Sequence, residues 1–162
     1  VRYPTQTDDL HHEVELVAVL GQGGRHLSLK DAEATIFGYA VGIDFTRRDR
    51  QAEAKEKGRP WEIAKNFDDA GVIGVVTPKT EIGFMEHAAI SLDVNGETRQ
   101  SGNIDQMAYN TVELIAFLST LQELKPGDLV FTGTPSGVGS IIRGDHLVGR
   151  IGGLQDLQMT LV

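Results

Sequence analysis

The chain contains no cysteine, which excludes disulfides, thiolate nucleophiles and cysteine-type zinc sites. Aromatic residues make up only 6% of the 162 positions, proline occurs 5 times, and no apolar run approaches the ~20 residues a membrane helix needs. Positive charge is in deficit as well: 15 Lys and Arg against 23 Asp and Glu leave a net charge of −8, which repels a phosphate backbone. These absences set the expectation of a soluble cytoplasmic protein with neither a nucleic-acid nor a membrane partner. What is present is ordinary globular material, 40% hydrophobic and 23% charged, enough for one well-buried core. The 19 glycines are spread along the chain, which suits tight turns between strands, and no repeat or linker divides it.

Residues 12–20 alternate polar and apolar and then turn wholly apolar, the pattern of a strand whose far half is buried on both faces. Leu20-Gly-Gln-Gly-Gly ends it as a turn rather than a nucleotide cradle, because His26 occupies the third glycine position of a dinucleotide fingerprint. Residues 35–44 read as a second buried strand, with opening residues that could also be helical. Thr46 followed by Asp49 has a capping-box pattern and predicts a helix through a charged stretch to Gly58, with Pro60 beyond it. Strand pieces are expected near 72–76 and at 90–94, the second followed by Asn95-Gly96, a strong hairpin signal. Met107, Leu114, Ile115, Leu118 and Leu121 recur at helical spacing, with Pro126-Gly127 as a stop. Residues 129–132, 147–151 and 157–161 return to strands. The sum is a β-rich α+β domain, a roll or sandwich with two main helices.

Glu13 and Glu15 lie two apart on the first strand, so both carboxylates project from one face while Val14 and Leu16 point the other way. Asp44 closes the second apolar strand in the same manner. Carboxylates held side by side repel unless a proton or cation intervenes, and three oxygen donors suit a hard divalent ion such as Mg²⁺ or Mn²⁺ over Zn²⁺. The alternative is a Glu-x-Glu pair on the solvated face of an edge strand. Of the adjacent His11 and His12, at most one can share the face of the glutamates; His11 reads as exposed at the strand entrance.

Arg48 stands four past Asp44 and three before Gln51, so the two can share a helix face directed toward the strand end. A guanidinium fork and an amide are equipment for gripping an anion. Arg47, Arg50, Lys55 and Lys57 read as a solvated face paired with Glu53 and Glu56. Lys65, flanked by Trp61, Ile63 and Phe67, either snorkels to solvent or is held near an anion. Gly133-Thr-Pro-Ser-Gly-Val-Gly139 is not a nucleophile elbow, since Thr134 replaces the first glycine, but it can form a rigid loop whose hydroxyl and N–H groups meet an anion.

Four segments in order, 9–16, 38–51, 58–65 and 125–139, give the chain a close resemblance to the fumarylacetoacetate hydrolase (FAH) family. The Arg-Arg-Asp-x-Gln and Gly-Arg-Pro-Trp stretches look most like its acylpyruvase and fumarylpyruvate hydrolase branch. The resemblance implies a mixed-sheet β-roll, a homodimer, and Mg²⁺ or Mn²⁺ on Glu13, Glu15 and Asp44, with Ca²⁺ able to take the same place in a crystal. It also implies substrate contacts from Arg48, Gln51, Lys65 and Thr134, with Arg48 and Lys65 catalytic. Family members carry an Asn-Tyr-x-x-His segment before the Glu-x-Glu strand, whose His and a nearby Glu form a water-activating lid. No such pattern lies within residues 1–162, so the expectation is a single FAH-like catalytic domain entered just after the lid.

The chemistry so implied is hydrolysis of the C–C bond of an acylpyruvate such as fumarylpyruvate, a step of aromatic catabolism that yields pyruvate and a carboxylic acid. Oxaloacetate decarboxylation and isomerisation of a hydroxydienoic diacid would use the same site, and a non-catalytic oxoacid-binding domain is the alternative of a different class.

Overall fold

The computed structural model describes residues 1–162. In chain order the elements are β1 (Leu10–Leu20), α1 (Leu29–Thr35), β2 (Ile36–Arg47), α2 (Arg48–Glu56), α3 (Glu62–Lys65), β3 (Gly71–Ile73), β4 (Thr77–Pro78) and α4 (Lys79–Ile82). There follow β5 (Ala89–Val94), β6 (Glu97–Asn103), a 3₁₀ turn at Ile104–Gln106, α5 (Thr111–Leu121), β7 (Leu129–Phe131), β8 (Gly139–Ile141), β9 (His146–Ile151) and β10 (Leu157–Thr160). The first sheet runs β3-β2-β1-β7, with β4 beside β2 and β8 beside β1; the second runs β10-β9-β5-β6. The β-rich α+β roll is therefore present. Its ladders, expected to be mixed, are antiparallel throughout.

The two sheets close on each other through apolar side chains. Val14, Leu16 and Ala18 from β1, Val41 and Ile43 from β2, and Leu92 and Leu147 from the second sheet are all fully buried. Each large side chain of this kind contributes about 1.5–3 kcal/mol of transfer free energy. The hairpin at Asn95-Gly96 forms as expected, with φ of 53° and 83°, the paired positive values of a type I′ turn.

Several local expectations give way to tertiary structure. Thr46 is not an N-cap: β2 runs on through it to Arg47, and its fully buried hydroxyl donates to Glu13 Oε1 at 3.0 Å. Asp49, freed from a capping box, instead accepts from the Thr7 hydroxyl (2.6 Å) and the Asp8 N–H (3.1 Å). Asp44 accordingly lies before the end of its strand, not at it. The two main helices expected are α2 and α5; three shorter ones join them, α1 before β2 and the single turns α3 and α4. Met107 falls outside α5, which starts behind Asn110 in a complete capping box with Glu113. Of the strand expected near 72–76 only the start forms, as β3, and β4 begins beyond it at Thr77.

Candidate metal and oxoacid site

The register of β1 on β2 builds the centre of the site. Glu13 pairs with Asp44 and Glu15 with Gly42, so the pleat puts all three carboxylates on one face of two adjacent strands. Gly42, opposite Glu15, lies under close packing: a Cβ there would stand 2.4 Å from Val17 Cγ2 and 2.9 Å from Phe131 Cε1. One carboxylate oxygen from each of Glu13, Glu15 and Asp44 lies within 4.8 Å of the others, a group able to hold a metal ion.

Two cations brace this cluster. Lys65, carried by α3, places Nζ 2.9 Å from Glu13 Oε2 and 2.7 Å from Asp44 Oδ2, so it is held against anions rather than snorkelling to solvent. Arg48, at the start of α2, donates from Nη2 to Glu13 Oε1 at 2.8 Å and from Nη1 to Gln51 Oε1 at 2.5 Å. Its Nε donates to His11 Nδ1 at 3.2 Å, which makes Nδ1 the acceptor and leaves Nε2 to donate to Asp9 Oδ1 at 3.1 Å.

His11 is thus not an exposed histidine at a strand entrance. It shares the glutamate face, and its side chain is only 18% exposed. His12 points to the opposite face and is fully buried. Arg47 also departs from the solvated face assigned to it: it lies over the Phe67 ring, 4.4 Å from its centroid, and donates to the Ile63 carbonyl. It thereby ties the end of β2 to the segment that carries Lys65.

The electrostatics differ from carboxylate to carboxylate. Burial works to raise the Glu13 pKa, but Lys65, Thr46 and Arg48 outweigh it and hold this carboxyl below its ordinary value. Glu15 is pushed up to about 7 by burial, with the negative neighbours Asp44 and Glu13 adding to it and the Gly133 N–H opposing it at 2.7 Å. Burial also raises Asp44, against the pull of Lys65. Burial would lower the Lys65 pKa, but Asp44 and Glu13 together raise it. Three carboxylates therefore lie here beside two cations, Lys65 and Arg48, that offset part of their mutual repulsion.

The model of the fumarylacetoacetate (FAA) hydrolase C-terminal family matches residues 1–162. The chain belongs to this family. A fumarylpyruvate hydrolase of a Ralstonia species is 44% identical over 161 residues, covering 99% of this chain and 83% of that one. A mitochondrial oxaloacetate decarboxylase of Dictyostelium discoideum is 37% identical over 163 residues, covering 100% of this chain and 75% of that one. Among solved structures, fumarylpyruvate hydrolase from Pseudomonas aeruginosa in complex with Mn²⁺ and pyruvate superposes with a TM-score of 0.97. It is 50% identical, and the match covers 100% of this chain and 70% of that one.

Within this FAH-family fold the Gly133–Gly139 loop sits against the site through its backbone. Gly133 N–H is the donor to Glu15. The Thr134 hydroxyl, expected to face an anion, donates inward to the Val14 carbonyl at 2.8 Å. A cavity of about 430 Å³ lies behind the loop, with Leu16, Met107, Tyr109, Thr132 and Thr134 in its walls, and none of the three acids lines it. Sequence reasoning missed Thr46 as a partner of Glu13 and gave no role to Gln100, which lies 1% exposed beneath the site. Nothing in the stretch Glu-Thr-Arg-Gln-Ser-Gly-Asn distinguishes Gln100 as the residue that turns inward.

Proposed function

We propose that the protein is a metal-dependent hydrolase that cleaves the C–C bond of an acylpyruvate such as fumarylpyruvate, giving pyruvate and a carboxylic acid. The observation that carries this is the convergence of Glu13, Glu15 and Asp44 beneath Lys65 and Arg48. The donor set, all carboxylate oxygen, fits Mg²⁺ or Mn²⁺. Bound there, such an ion supplies the positive charge that a pyruvate enolate leaving group requires.

The side chains around the acids supply the grip. Arg48 uses three of its five N–H groups on Glu13, Gln51 and His11, which leaves two. Lys65 uses two of three. Gln51 accepts through its carbonyl oxygen and so retains its amide N–H groups. The Thr134 N–H makes no hydrogen bond within the chain. Every unused group is a donor, so the ligand they fit is rich in acceptors and negatively charged, as an α-keto acid is. Arg48 and Lys65 also reverse the negative sign that three acids around one divalent ion would present to an incoming anion, and they stand where charge develops during scission.

The oxaloacetate decarboxylase relative supports a second reading, loss of CO₂ from oxaloacetate on the same residues. The wider expectations of a cytoplasmic homodimer in aromatic catabolism belong to this proposal too. Exposed Leu29, Tyr109, Phe117 and Leu121 around α1 and α5 support the dimer.

Pyruvate release from fumarylpyruvate, acetylpyruvate and oxaloacetate, measured with Mn²⁺ by a coupled lactate dehydrogenase assay, tests the proposal. Faster turnover of an acylpyruvate is expected. Preference for oxaloacetate establishes the second reading, and binding without turnover of any of the three establishes a non-catalytic oxoacid-binding domain.

A further inference from the structure

The outer edge of β1 has a gap. β8 pairs with its residues 10–12 and β7 with residues 17–19, while the stretch 132–138 loops away between them. Buried backbone groups in that gap still need partners. At Val14, the residue between Glu13 and Glu15, two side chains provide them. Its N–H donates to Gln100 Oε1 at 3.1 Å, and its carbonyl accepts from the Thr134 hydroxyl at 2.8 Å.

Gln100 comes from β6, in the other sheet, and its amide is fully engaged. Oε1 also accepts from His12 Nδ1 at 2.9 Å, and Nε2 donates to Thr134 Oγ1 and to the Pro135 carbonyl, both at 2.8 Å. It is the one buried residue of β6. A bulge leaves Arg99 without a partner, because Leu92 faces Gln100 while Asp93 faces Thr98, and Gln100 thereby reaches the inner side. The Thr134 hydroxyl in turn takes the Gln100 N–H and gives its only proton to Val14.

We propose that Gln100 is a positioning residue for the site. It stands in for the missing strand and locks the backbone between the two glutamates to the 133–136 loop as one unit, so that the Gly133 N–H meets Glu15 and the Thr134 N–H is left for the ligand. Gln100 touches neither ion nor oxoacid and acts through Val14, Thr134 and Pro135. The proposal rests on the function proposed above for the identity of the ligands, while the linkage itself is a property of the metal-free chain.

Gln100→Met tests it, since it removes all four hydrogen bonds at similar volume. Gln100→Glu, which keeps the acceptor oxygen and loses the NH₂ group, carries the same test if the first variant does not fold. The measurements are amide hydrogen exchange across 132–136 without metal, Mn²⁺ affinity by electron paramagnetic resonance, and pyruvate release. Exchange at Gly133 is expected to quicken by at least about tenfold, since the loop opens without global unfolding. Mn²⁺ affinity and kcat/KM are each expected to fall by roughly 10–100-fold, the range seen when partners of metal ligands are removed. Thr134→Val should act similarly, and the double variant should lose less than the sum of the two, as linked residues do. Unchanged exchange at Gly133, or strictly additive losses in the double variant, overturns the proposal. If the wild type binds Mn²⁺ but releases no pyruvate from acylpyruvates, the proposed function fails, and the exchange and Mn²⁺ measurements still decide the role of Gln100.

Discussion

The two faces of β1 share one backbone and do opposite work. His11, Glu13 and Glu15 point into a cluster of charge: His11 and Glu13 are half-buried and held by Arg48, Lys65 and Thr46, and Glu15 is buried against the Gly133 N–H. Leu10, Val14 and Leu16 point inward with no exposure at all and carry no charge. The period of two is all that separates them, so a slip of a single residue would drive two carboxylates into the core. The comparison shows where the site gets its accuracy. The outward acids are held in register by fully buried apolar side chains on the opposite face, and not by contacts among themselves, which are partly repulsive.

Substitutions on the two faces should therefore separate stability from chemistry. The largest expected effect is on the inner face: Leu16→Ala should cost about 2–5 kcal/mol in urea unfolding, with Mn²⁺ stoichiometry per folded chain unchanged. A loss of Mn²⁺ affinity with no loss of stability would erase the distinction. On the outer face, Asp44→Ala should lower both Mn²⁺ affinity and kcat/KM by more than about 100-fold, beyond what partners of ligands alone produce, while circular dichroism shows the fold intact.

Lys65→Ala sharpens the comparison within the outer face. Removing an ammonium aimed at developing charge should lower kcat by about 10²–10³-fold. Mn²⁺ affinity should hold or tighten, because Lys65 competes with the ion for Glu13 and Asp44. Equal losses of affinity and turnover would make Lys65 a structural brace only.

The smallest effect lies at the rim, at Asp49. Burial works against its charge, but the Thr7 hydroxyl and the N–H groups of Asp8 and Arg50 outweigh this and hold the carboxyl below its ordinary value. A carboxylate lowered on folding stabilises above its unfolded pKa, and that contribution is lost as pH falls through the folded value. Asp49→Asn should thus cost at most about 1 kcal/mol at pH 7, given its exposure, and the difference from wild type should shrink toward pH 3. A difference that grows on acidification would reverse the sign of this interaction.

What was legible in the sequence follows the range of the forces involved. Glu13 and Glu15 share a face by local alternation, Arg48 and Gln51 by helical spacing, and the Asn95-Gly96 turn by backbone preference, all within a few residues. Asp44 was recognisable by its place at the end of an apolar run, and the sheet register sets it opposite Glu13. Thr46 was misread because a local capping pattern competes with a strand that gains more by continuing across the sheet. His11, Arg47 and Gln100 were opaque for a related reason. Their partners, Arg48, Ile63 and Val14, are fixed by the register of sheets and by a single-turn helix, and a bulge at Arg99 decides which way Gln100 points.

The convergence of the three acids on a cation is tested most directly by titrating Mn²⁺ into the wild type and into a Glu13→Gln/Glu15→Gln double variant, following the free-ion resonance signal. One ion per chain is expected in the wild type and none in the variant, with pyruvate release from acylpyruvates lost alongside. A double variant that binds no metal and yet turns over acylpyruvate at the wild-type rate would contradict the mechanism proposed for this site.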